Sequence, residues 1–126
     1  MTSSLAIGHA LGSLDLLQVE AMNRPQLAPI HAALQFEVDT LRTNLLQSVS
    51  STADTNSAEK FRKDATDLAL RSAQALLTAC KGAGFVSDHP AGRFCREALF
   101  FLVWSCPQAV ANQLLTSFSG CDQKGL

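Results

Sequence analysis

A chain of 126 residues has room for one domain and none for a second. Hydrophobic residues make up 47 % of it and charged residues 17 %, an ordinary globular balance with few charges to spare for the surface. The formal net charge is −1 and the charged residues are scattered singly, so there is no basic stripe and nucleic-acid binding is not expected.

The longest apolar run, Ala98 to Trp104, is far short of the about 20 residues that cross a bilayer, so no membrane partner is expected. Met1 to Leu5 lack the basic residues and long apolar core of a signal peptide, which makes the cytoplasm the expected location. The four cysteines, Cys80, Cys95, Cys106 and Cys121, form no C-x-x-C pair, and no histidine completes a zinc pattern. They read as reduced thiols partly buried in helices, and no metal site is expected.

In the first segment Ile7, Leu11, Leu14, Leu17 and Ala21 recur at helical spacing and share one face. Ser3 or Ser4 can cap its start, and Asn23-Arg24-Pro25 should end it, because the residue before a proline is pushed out of the helical region. A second helix is expected from near Pro29, with the stripe Ile30, Leu34, Val38, Leu41 and Leu45. It runs out into the polar stretch 48–57, the best candidate for a disordered loop. Ser57 is the expected N-cap of a third helix, where Phe61, Ala65, Leu68, Ser72, Ala75 and Ala79 make a face rich in small residues, widened by Leu76 and Leu77. Lys81-Gly82 reads as a basic last turn followed by a glycine C-cap.

A fourth helix should start after Asp88-His89, with Pro90 in its first turn. From Ala98 to Trp104 it is apolar on nearly all sides, so its neighbours or another subunit must cover it, and Phe94, Phe100, Phe101 and Trp104 read as core or subunit interface. Pro107 interrupts it, which makes Ser105 or Cys106 the expected cap of a short fifth helix ending near Gly120. Residues 121–126 should fray. No segment alternates with period two. The expected fold is therefore all-α, an up-down four-helix bundle over residues 1–120 with a short fifth C-terminal helix.

Several short motifs occur in a telling order. Lys81-Gly82-Ala83-Gly84-Phe85 is followed by Pro90 and then by Arg96-Glu97-Ala98; upstream stand Arg24-Pro25-Gln26-Leu27-Ala28 and Gln35, and before them Gly8, Ala10, Leu14 and Asp15. This series resembles the C-terminal helical bundle of acyl-CoA dehydrogenases. There a helix ends in G-G-x-G followed by Phe or Tyr, a proline loop leads to R-D-A, and R-x-x-F-G lies upstream. The resemblance spans nearly the whole chain, which starts almost where the family's bundle starts, as expected of a domain excised at its boundary.

The resemblance implies an FAD-dependent oxidoreductase whose flavin lies between a middle β domain and this bundle, with bundles of neighbouring subunits building a homo-oligomer. Arg24 would match the arginine on the flavin pyrophosphate, and Gly82 and Gly84 the glycines that approach the adenosine half. Leu27 and Ala28 replace the family's aromatic and glycine, Lys81 its first glycine, and Thr78 the preceding glutamine. The catalytic glutamate of many members falls on Ser105, which is no carboxylate base; some members carry it on another bundle helix, where Glu37 or Glu59 would be the alternative. The chain alone is therefore expected to be catalytically inactive and to hold no cofactor, its flavin and substrate domains being missing partners.

The same residues also have plainer roles: Arg24 as a solvated charge, Gly82 and Gly84 as a C-cap and a turn, and Arg96 and Glu97 as a salt bridge to the first or third helix. The alternative expectation is a free-standing helical oligomerisation or interaction module that buries its apolar helix by self-association. A ligand cavity between the helices would define a third class.

Overall fold

The computed structural model describes residues 2–49, 55–81, 88–104 and 106–121. They form α1 (Thr2–Asn23), a 3-10 turn (Pro25–Leu27), α2 (Ala28–Val49), α3 (Thr55–Cys80), α4 (Pro90–Phe100) and α5 (Gln108–Ser119). Among the described residues there is no strand, so the fold is all-α. None of these helices is long and apolar enough to cross a membrane.

Residue pairs set the directions of the helices. Arg24, at the end of α1, reaches Ala79, near the end of α3. His9 of α1 and Arg62 of α3 both lie against Phe101, so these two helices run parallel. Glu37 of α2 pairs with Arg71 of α3, and Leu41 and Asn44 then follow beside Leu68 and Asp64, so α2 runs the opposite way. Cys95 sits at Ala73 and Phe101 at Arg62, so α4 also opposes α3.

The most extensive contact joins α1 to α3, and α2, α4 and α5 all pack on α3. Small residues explain why α1 and α3 come so close. Ala6, Ala10 and Ser13 on α1, and Ala65, Ala69, Ser72 and Ala79 on α3, are all buried and let the backbones approach. Leu14, Leu17, Leu68 and Leu76 fill the space between them and bury apolar surface at ~25 cal/mol per Å². Leu34, Val38 and Leu41 close the core from α2, and Ala91 and Phe101 close it from the α4 side. A second cluster of Leu70, Ala73 and Ala98 joins α3 to α4, and Val110 and Leu114 are the buried residues of α5.

Several expectations at the helix ends differ: Ser3 and Ser4 are not caps, because α1 already begins at Thr2. Ser57 is not a cap, because α3 already begins at Thr55. Lys81, expected in the last turn of α3, takes the left-handed conformation after it (φ 57°); the C-cap expected at Gly82 lies outside the described residues. The cap of α5 is Pro107 in extended conformation, not Ser105 or Cys106, and Gly120 ends the helix at φ 70°. Ile30 is exposed, because Leu27 in the 3-10 turn takes its place against the core. His89 is the N-cap of α4: its Nδ1 accepts the Ala91 backbone N–H at 3.1 Å while Pro90 takes the first turn.

Candidate functional site

Of the residues that the family resemblance selects, Gly82, Gly84 and Ser105 lie outside the described residues. Arg24 is half-buried and extended, as a residue before proline should be (φ −133°, ψ 90°). Its Nη2 donates to Glu20 Oε2 at 3.0 Å and to the Ala79 carbonyl, which ties the end of α1 to the end of α3. Thr78 turns back to donate to the Gln74 carbonyl, and Gln35 donates to Asp39.

Glu37 meets Arg71 as a two-pronged pair, with both bonds at 2.9 Å, and Asp67 accepts from the third nitrogen. The hydrogen bonds from Arg71 hold the Glu37 carboxyl below the usual carboxylate range and raise the guanidinium. A carboxylate so held is a weak base. Burial pushes the Cys80 and Cys95 thiols up, and Cys95 Sγ donates to the Ala73 carbonyl at 3.3 Å. Neither thiol is activated for nucleophilic chemistry. Among the described residues no cluster of His, Cys, Asp and Glu could hold a metal ion.

A different set of side chains converges between α1 and the end of α4. On α1, Leu5 and His9 are one turn apart. Beyond them Glu97, Phe100, Phe101 and Trp104 recur at three- and four-residue spacing along α4 and the turn that continues it. Together these six line a groove of about 440 Å³. His9 Nε2 lies 3.2 Å from Glu97 Oε1, so Glu97 reaches the first helix through a hydrogen bond to a histidine rather than through the salt bridge expected of it. The imidazole is nine-tenths buried, with its ring 4.9 Å from Phe94 and 5.7 Å from Phe101. Burial lowers the His9 pKa, and the Glu97 hydrogen bond only partly opposes it. A neutral ring with its proton on Nε2 satisfies Glu97 and leaves Nδ1, which has no partner among the described residues, as an unprotonated acceptor.

Arg62 fastens the far wall of this groove. It is 5 % exposed, and its Nη2 donates to the Phe101 carbonyl at 2.8 Å and the Trp104 carbonyl at 3.1 Å. A cation on these carbonyls answers the negative end of the helix, and it holds the turn on which Phe100 and Trp104 stack at 5.8 Å. Sequence reasoning missed both His9 and Arg62. Each is a single polar residue at an ordinary helical position, and only tertiary contact gives it a partner.

No family model matches the chain, and neither does any curated protein or solved structure.

Proposed function

We propose that this chain is a helical association module without a reaction centre of its own, and that it pairs with a second copy through the outer side of α4. One observation carries this reading: Leu99, Phe100, Val103 and Trp104 are 54 %, 53 %, 76 % and 46 % exposed on a single short stretch. The segment from Ala98 to Trp104 carries no charge, so two copies meet there without repulsion, and apolar ledges of this kind mark association surfaces.

Sedimentation velocity across a concentration series tests it. The parent chain is expected to self-associate at micromolar concentration, and a Leu99→Ser/Val103→Ser double variant to stay monomeric with unchanged helix content. A monomeric parent chain throughout the series would overturn the reading.

A second reading, the C-terminal helical domain of an acyl-CoA dehydrogenase-like enzyme with FAD as the parent's cofactor, rests on the ordered motifs. It is further supported by the contact of Arg24 with Ala79, which lies three residues before Gly82. Arg24 thus lies beside the end of α3, the helix that the glycine motif follows in the sequence. Flavin absorbance after gel filtration tests it. Retention of FAD only when flavin-binding domains of that family are supplied is the expected result. Acyl-CoA oxidation by the isolated chain would contradict the inactive-domain reading.

A further inference from the structure

We propose that the groove between α1 and α4 binds a lipophilic organic cation, an alkyl or aryl ammonium, with the Glu97 carboxylate meeting its charge and Phe100 and Trp104 meeting its apolar body. At about 440 Å³ the groove has the size of a small-molecule site, and Leu5, Phe100, Phe101 and Trp104 make its walls apolar. Charge decides among apolar ligands. Glu97 is the acidic residue of the groove, and its side chain is half-exposed, so a ligand can reach it.

Among the described residues no lysine or arginine lies within ion-pair distance of Glu97; its partner is His9. The imidazole is buried between Phe94 and Phe101, where a neutral ring is favoured, so the hydrogen bond orients the carboxylate without cancelling its charge. Phe100 and Trp104 also line the groove, and aromatic rings attract an ammonium group but not a carboxylate. Arg62 keeps those rings in place from behind through the Phe101 and Trp104 carbonyls. The site does not depend on pairing of two copies: Glu97 and His9 lie outside the ledge, although Phe100 and Trp104 serve both surfaces.

Trp104 is the sole tryptophan of a chain without tyrosine, so intrinsic fluorescence reports on this groove directly. The probes are decyltrimethylammonium and decanoate below their micelle concentrations, equal in chain length and opposite in charge. The cation is expected to give a saturable change in Trp104 emission with an affinity about tenfold or more above that of decanoate. Glu97→Gln should remove most of that preference, by weakening the cation and strengthening decanoate, with helix content and sedimentation unchanged. Phe100→Leu, which keeps the fluorophore, should weaken the cation by about threefold. Equal affinity for the two probes, an unaltered preference in Glu97→Gln, or no saturable response to the cation would each overturn the proposal. Repeating the titration on the Leu99→Ser/Val103→Ser variant separates the two surfaces, since cation binding should survive there even though pairing is lost.

Discussion

The contact between α1 and α3 and the end of α4 are both apolar, and they behave in opposite ways. Along α1 and α3 the repeated small residues draw two backbones together, and Leu14, Leu17 and Leu76 are sealed to within a few per cent of full burial. At the end of α4 the residues are larger and more hydrophobic, yet Leu99, Phe100, Val103 and Trp104 remain open. Hydrophobicity alone therefore does not bury a residue here. What decides is whether a neighbouring helix is present at that level. Of the run from Leu99 to Trp104 only Phe101 is buried, between His9, Arg62 and the core.

The largest expected effect sharpens that contrast. Leu14→Ala should lower the unfolding free energy by about 2–5 kcal/mol, through lost burial and the cavity left behind. Val103→Ser, which removes apolar atoms from an open ledge, should change it by no more than about 0.5 kcal/mol. Denaturant titration followed by circular dichroism, at concentrations low enough to keep the chain monomeric, measures both. Similar costs for the two would break the distinction between sealed seam and open ledge.

Next in size is Arg62→Ala. It strips two charge-assisted hydrogen bonds from the end of α4 and leaves the carbonyls of Phe101 and Trp104 without that donor. A loss of about 2–3 kcal/mol is expected, together with a red shift of Trp104 emission as the last turn loosens. Unchanged emission would mean that Arg62 does not hold the ledge in place.

A pair of glycines one turn apart gives a smaller and opposed effect. A Cβ at Gly8 meets nothing within 4 Å, so Gly8→Ala should stabilise α1 by about 0.5–1 kcal/mol. At Gly12 it would stand 2.9 Å from Phe94 Cε1, so the ring must move away. Gly12→Ala is therefore expected to fall at least about 1 kcal/mol below Gly8→Ala in thermal or chemical denaturation.

The smallest effect is in pH. Because burial lowers the His9 pKa in the fold, the unfolded chain takes up its proton first as pH falls. Stability from this residue is intact above the ordinary histidine value of 6.5 and is lost as pH drops through the lower, folded value. His9→Gln should flatten the thermal midpoint in that window. The Glu37–Arg71 pair acts in a separate window, below the ordinary glutamate value of 4.5, where protonation of Glu37 removes it. Both Glu37 and Arg71 are well exposed, so that second fall should be slight.

Much of the fold is legible in the sequence, and the candidate groove is not. The helical period of Ile7, Leu14 and Leu17, of Leu34, Val38 and Leu41, and of Ala65, Leu68, Leu76 and Ala79 marks the buried face of each long helix correctly. Period is a local property, and these helices form where it is satisfied. The choice of α1 as the main partner of α3 is not local. It depends on which small-residue faces meet, and Ala6, Ala10 and Ser13 lie beside the large-residue stripe that a reading of hydrophobicity follows. Arg24 shows the same limit at a single residue. Its place before Pro25 announces a helix boundary, but its bond to Ala79 depends on a residue 55 positions away.

By itself, then, the sequence determined that this chain is all-helical and which side of each long helix turns inward, because hydrogen bonding and side-chain spacing within a helix are set by near neighbours. It also marked the run from Ala98 to Trp104 as apolar on nearly every side, more than one helical face can bury. Only the tertiary structure decided that Leu99, Phe100, Val103 and Trp104 stay exposed, that Arg62 props that end, and that His9 and Glu97 meet beside it. Those contacts join residues far apart in the chain, and their energies come from burial and charge pairing that exist only once the helices have docked.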